Sequence, residues 1–442
     1  MQPSPILPVA IRGAAMAVLM AVTSPPAFAV EVSSVKSSRG IEAWLIETPE
    51  LPIIALHIAF RDAGSAADPP GRQGLAAFGA RMLTEGAGGL DASAYQERLS
   101  ELGAALRFGA ARDILVGRLE AVRDHRDQTF ELLRLALTNP RFDADAVERV
   151  RKSRLTELAR LETDPNAVAR RAWWQGVFPN HPYGRDPEGT AADTAAITAA
   201  DLHSAFMRHI SKGNLIVSAA GAISAAELAE VLDRIFGELP ELSKTPAVPP
   251  PVLKPSSPLV ARLPFPQSAC WFGHMGVRPT SPDYLPALVL NHIVGGGTLT
   301  SRLFIELREQ RGLVYSVRTS LEPLANESLV IGSFATENDK VPTAIDLVRH
   351  EWHRLANGDV SETDTDTAKA FLKGAFPVSL DGTSAMAERL LAVQRLGLDM
   401  DHLTAWNSKV DAVTAEGVRD LARRLMRPDD LTFAIAGDPA GL

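Results

Sequence analysis

Short runs of branched and aromatic residues alternate along the chain with longer stretches of helical period. Residues 40–48 and 52–60 (GIEAWLIET and PIIALHIAF) are apolar, β-branched and brief, which predicts two strands. A helix follows over 72–84, opened by Asp68-Pro69-Pro70-Gly71 and closed by Gly86. The pattern then gives a helix over 92–102, strands over 106–110 and 114–120, and a helix over 126–137. A long charged helix over 144–161 is broken at Asp164-Pro165 and resumes over 167–176. A turn-rich stretch at 179–189, a strand at 214–221 and a helix at 225–236, with Gly237 at its end, complete this half.

Residues 244–258 (KTPAVPPPVLKPSSP) hold six prolines and no helical or alternating period, so they read as an extended, semi-rigid linker. Beyond them the order begins again. A strand is expected over 270–276, a helix over 285–293, a strand over 328–334 and helices over 343–355 and 365–376. The closing LTFAIAG (431–437) echoes LIVSAAG (215–221). The pattern is that of an internal duplication, two α+β units of roughly 200 residues each.

The first residues stand outside this order. Arg12, an apolar core over 14–22 and the small-x-small site Ala27-Phe28-Ala29 before Val30 read as a secretory signal peptide. The expected organisation is therefore a signal peptide over 1–29, an N-terminal domain over 30–243, the linker over 244–258 and a C-terminal domain over 259–442. An exported, periplasmic protein without a transmembrane segment is expected, since no later run reaches about 18 uninterrupted apolar residues. A net charge of −8 without a basic block gives no reason to expect nucleic acid. One cysteine, Cys270, excludes an internal disulfide, and a hydrophobic content of 46% is ample for packed cores.

Candidate chemistry concentrates in 291–317, NHIVGGGTLTSRLFIELREQRGLVYSV. Three glycines (Gly295, Gly296, Gly297) precede Ser301, which can cap a helix carrying Leu303, Phe304, Ile305 and Leu307 and stopping at Gly312. Tyr315 then begins an alternating segment, so Arg308 and Tyr315 can converge. A guanidinium fork and a phenol aimed at one point suit a peptide carbonyl oxygen that gains charge during attack. The simpler reading is a surface arginine and an interfacial tyrosine on a well-packed helix and turn.

The wording of the whole run closely resembles the second-domain signature of the pitrilysin/insulinase family of inverted-zincin metallopeptidases, which includes the mitochondrial processing peptidases. His181-Pro182-Tyr183-Gly184-Arg185, with Gly189-Thr190 behind it, resembles an HPYG segment of that family's first domain, and residues 431–438 resemble the closing strand of its second. The resemblance spans nearly all of the chain after the signal peptide. It implies an α+β fold of two homologous α/β rolls facing each other across a chamber, with substrate added as a strand on a sheet edge. It also implies that Arg308 and Tyr315 hold the substrate backbone.

Active members carry His-x-x-Glu-His on a helix of the first domain: two histidines bind zinc and the glutamate activates the bound water. The matching run here, GLAAFGARML, places Ala77, Ala80 and Arg81 at the three positions. Alanine cannot ligate a metal or take a proton, and an arginine repels a cation. The third ligand of the family, a glutamate some seventy residues on, is matched by Glu157, which reads equally as a solvated residue on a charged helix. No metal is therefore expected in this chain. His350 and His353 miss the i, i+4 spacing of a zincin helix, while His57, His274 and His292 suit hydrogen-bonded structural roles. Cys270, beside Trp271 in an apolar strand, suits the core, and neither a nucleophile elbow nor a phosphate loop is present.

Two readings follow. In the first, the chain is the non-catalytic, substrate-binding subunit of an exported heterodimeric zinc metallopeptidase. Arg308 and Tyr315 hold the peptide carbonyl, while a partner subunit bearing His-x-x-Glu-His supplies zinc and the general base, and this chain alone cleaves nothing. In the second, it is a pseudo-peptidase serving as a structural or peptide-binding scaffold.

Overall fold

A computed structural model describes residues 31–254, 258–325 and 327–442, leaving out the side chain of Thr298. The expected signal peptide lies outside the described residues, as does the end of the linker at 255–257. The first half contributes strands β1 (Ser33–Lys36), β2 (Glu42–Glu47), β3 (Ile53–Arg61), the short pair β4 (Gly86–Ala87) and β5 (Leu90–Asp91), β6 (Ala105–Ala110), β7 (Ile114–Val122) and β8 (Leu215–Gly221). The second contributes β9 (Leu259–Arg262), β10 (Gln267–Met275), β11 (Val314–Pro323), β12 (Ser328–Glu337) and β13 (Thr432–Gly437).

The larger sheet runs β1-β2-β8-β3-β7-β6 and the second β11-β12-β10-β13-β9. Read from the far edge, the second sheet is β9-β13-β10-β12-β11, which matches β2-β8-β3-β7-β6 strand for strand. Even the one parallel pair recurs, β2 with β8 and β13 with β9, while the other neighbours are antiparallel. The duplication legible in LIVSAAG and LTFAIAG is thus a repeat of topology, with β1 an addition to the first copy. It also makes β6 and β11 equivalent edge strands.

Each half lends a helix to the other's sheet. Pro165–Val177, from the first half, lies on β13, β10 and β9. There Trp173 is fully buried and its Nε1 donates to the Thr432 carbonyl at 3.0 Å. Gly273 makes the room: a Cβ on it would stand 2.9 Å from the Trp173 ring and 2.5 Å from the Val330 carbonyl oxygen. In return Thr383–Arg395 lies on β8 and β3, with Leu391 buried among Ala59, Ile114, Val116 and Ile216. Ser218 Oγ donates to the Ala387 carbonyl at 2.8 Å, and Arg118 donates to both Glu388 oxygens at 2.7 and 3.1 Å. The central strands are consequently covered on both faces, which is why β3 is a continuous apolar run rather than an alternating one. The helix Thr383–Arg395 has no counterpart in the sequence expectations.

The described part of the linker is tied down. Val248 is buried beside Trp173, Trp174 and Tyr183, and the Lys254 N–H donates to the Val177 carbonyl at 3.1 Å. No helix of the described residues is long and apolar enough to cross a membrane.

Candidate functional site

The helix Leu75–Met82 bears the three motif positions, and its N-terminus is clamped from two sides. Buried Asp68 accepts from the N–H groups of Gly74 at 2.8 Å and Ala76 at 2.9 Å, satisfying first-turn donors. Burial pushes its carboxyl up to about 7. Arg185, in the HPYGR run, donates to the Asp68 carbonyl at 2.7 Å. Gly74 and Gly189 meet backbone to backbone at φ 86° and 79°. A Cβ on the first would stand 2.6 Å from the Glu188 carbonyl oxygen, and one on the second 2.2 Å from that of Gln73. Only glycine fits this crossing, so the 181–190 segment sets the position of the motif helix.

At the motif positions Ala77 and Ala80 are buried, and Arg81 projects from the same face. Its Nη2 donates to Glu157 Oε2 at 2.6 Å. The same oxygen lies 3.5 Å from Nη1 of Arg154, a guanidinium only 1% exposed. Arg154 is held by the Glu188 carboxylate and the Glu188 carbonyl, each at 2.6 Å. Glu157 is therefore an ion-paired residue between two guanidinium groups, and not the merely solvated carboxylate that its charged helix also allowed. These residues do not fit zinc. Two methyl groups offer no lone pair, and the remaining carboxylate is already neutralised. Among the described residues no group of three histidine, cysteine, aspartate or glutamate side chains could hold a metal ion.

The second cluster is built by two local irregularities. After the turn Arg302–Phe304, for which Ser301 is the N-cap residue, the helix widens into a π-turn over Ile305–Glu309 that carries Arg308. The β11–β12 register then shifts between Val314 and Val317, a bulge that holds Tyr315. Arg308 Nη1 donates to the Tyr315 carbonyl, and its guanidinium carbon lies 4.7 Å from the Tyr315 ring centroid and 5.6 Å from that of Phe304. Tyr315 is 83% exposed on the edge strand. The two expected donors thus meet at the surface, although one guanidinium nitrogen is engaged with backbone. Gly295 and Gly296 close a second π-turn, His292–Gly296, and Gly297 follows it. A Cβ on Gly295 would stand 2.7 Å from Thr319 Oγ1, so the glycine stretch lies directly against β11.

The remaining candidates are structural. His274 accepts from Trp352 Nε1 at 3.0 Å, its Nδ1 lies 2.7 Å from the Met275 carbonyl oxygen, and burial lowers its pKa to about 4. His57 Nε2 is 3.3 Å from Ser384 Oγ. His292 departs from expectation: it stacks on Phe371 with ring centroids 4.4 Å apart, and its buried Nε2 has no hydrogen-bond partner among the described residues. Cys270 is fully buried, its thiol pushed up to about 12 by burial, and His350 and His353 are exposed. Sequence reasoning missed Arg154. Its only signal was one more arginine on a charged helix.

Comparison with known proteins matches both halves of the chain to one family. Residues 53–191 match the family described as insulinase (peptidase family M16), and residues 196–372 match the peptidase M16 inactive domain. The "non-peptidase homolog YmxG" of Helicobacter pylori is 25% identical over 88% of this chain and 90% of its own length. The β subunit of the mitochondrial-processing peptidase of Saccharomyces cerevisiae is 24% identical over 74% of each chain. In fold, the chain resembles a peptidase M16 inactive domain from Pseudomonas fluorescens (TM-score 0.86, 24% identity, 93% of this chain and 98% of the other). It also resembles a protease from Helicobacter pylori (TM-score 0.82, 17% identity, 92% and 99%). With both halves matched and the duplicated topology shared across nine-tenths of the structure, this chain belongs to the M16, or pitrilysin/insulinase, peptidase family, which has inactive members.

Proposed function

We propose that this chain is a non-catalytic, peptide-holding subunit of an exported heterodimeric metallopeptidase. The observation that carries the reading is the split between the two clusters. At the motif helix a guanidinium lies against the carboxylate that a metal would need, while Arg308 and Tyr315 stand together on an open edge strand. A partner with an intact His-x-x-Glu-His would supply the metal and the general base, and this chain would contribute hydrogen-bond donors to the peptide carbonyl. The resemblance to a processing-peptidase subunit supports a paired arrangement. The leader-like residues 1–29 support export to the periplasm.

The scaffold reading draws on the bond from Arg308 to the Tyr315 carbonyl, because an arginine that braces a bulge is doing structural work. Co-expression with an exported His-x-x-Glu-His chain, followed by size analysis, metal analysis and peptide digestion, separates the two. The subunit reading expects a mixed complex that cleaves peptides, with this chain alone metal-free and silent. About one tightly bound zinc per isolated chain would overturn both.

A further inference from the structure

The start of the helix Pro165–Val177 and strands β10, β12 and β11 of the second sheet line a cleft of about 500 Å³. Arg170 enters it from the helix and Arg318 from β11, and Ser316, the residue after Tyr315, lines the same wall. Among the described residues neither arginine makes a hydrogen bond or an ion pair. Many of the chain's other arginines, among them Arg81, Arg118, Arg302 and Arg424, are held by carboxylates, so these two guanidinium groups keep their donors for something else. Asp164, the carboxylate in the lining, is already engaged, capping the helix through the Ala167 N–H at 2.9 Å. The rest of the lining is neutral, with Trp271 and Phe334 as apolar surface and Asn166 and Ser333 as small polar groups.

We propose that this cleft selects a carboxylate on the peptide, clamped between Arg170 and Arg318. The inference rests on the peptide-holding reading above and adds a substrate class to it: acidic segments rather than neutral or basic ones. Two guanidinium groups lining one cleft suit a carboxylate, and the charge-assisted bonds they make are stronger than neutral ones. The cleft opens beside the bulge that carries Tyr315, so a peptide held there by its backbone runs on into the arginines. The carboxylate can belong to an aspartate or glutamate side chain or to the peptide's C-terminus.

Fluorescence anisotropy with the full-length protein tests this, using four labelled peptides of one length: one containing a single Glu, its Gln counterpart, and both with the C-terminus amidated. Preference for a carboxylate of about tenfold is expected, shrinking in salt of about 0.5 M. Arg170→Gln and Arg318→Gln should each remove much of it, and the double variant all of it. Preference lost on Glu-to-Gln exchange identifies a side chain, and preference lost on amidation identifies the terminus. Equal binding of all four peptides would overturn the cleft proposal and leave the peptide-holding reading standing, as would a preference that survives in the double variant. No binding by any peptide, alone or with the partner, would overturn both.

Discussion

If Ala77, Ala80 and Arg81 stand where metal-binding members carry His, Glu and His, then Ala77→His, Ala80→Glu and Arg81→His together should create a zinc site with Glu157. The structure sets the energies. The Arg81–Glu157 pair is 40% and 34% exposed on its two sides, so losing it costs only about 0.2–1 kcal/mol. Ala77 and Ala80 are 9% and 2% exposed, however, and larger side chains there cost on the order of 1–3 kcal/mol in overpacking, with a further penalty for the buried carboxylate. The metal-free triple variant should therefore melt below the parent. Zinc at about a thousand times its dissociation constant returns about 4 kcal/mol and should restore the melting temperature, while leaving the parent's unchanged. Affinity should fall short of a natural site, because Arg154 remains a cation 3.5 Å from the same Glu157 oxygen. Thermal melts with and without zinc, followed by calorimetric stoichiometry, check this. A folded triple variant that binds no zinc would show that the motif has been placed on the wrong residues.

Two predictions concern the exchanged helix. Leu391→Ala empties a fully buried position against the first sheet and should cost about 2–5 kcal/mol in urea unfolding, so a loss under about 1 kcal/mol would contradict its seat there. Glu388 is held down to about 2 from 4.5 by His57, 3.4 Å away, and by Arg118, which bonds both its oxygens. Its folded-state pKa is depressed, so its contribution to stability is present above pH 4.5 and lost as pH falls toward about 2. Unfolding of Glu388→Gln should accordingly depend less steeply on pH within that window, and an unaltered slope would contradict the assignment.

What the sequence disclosed is what local chemistry decides. Strands such as 53–61 announce themselves by apolar content, and the duplication is audible in LIVSAAG and LTFAIAG because buried central strands tolerate few residue types. The motif helix and the Arg308–Tyr315 run were also legible, through the family whose wording each short run resembles. The exchange of helices was not, because an apolar face records that a helix is covered but not which half covers it. Neither was the ion pair between Arg81 and Glu157, 76 residues apart, nor the buried Arg154 behind it. The π-turn under Arg308 and the bulge at Tyr315 escaped for a related reason: both depart from regular hydrogen bonding, and neither the apolar period nor the turn residues of 302–317 mark where. His292, whose Nε2 would stand 2.9 Å from a Cβ on Gly297, belongs to the same tightly packed region.

Tyr315→Phe in the reconstituted complex tests the central claim most directly. It deletes one hydroxyl from an 83% exposed ring and leaves the Arg308 contacts to the ring and backbone in place, so folding and assembly should not change. If the hydroxyl donates to a carbonyl oxygen that grows more negative during attack, turnover should fall about 10²- to 10³-fold while substrate affinity changes little. A fully assembled complex that keeps its full rate with Tyr315→Phe would contradict that role and leave the scaffold as the better account.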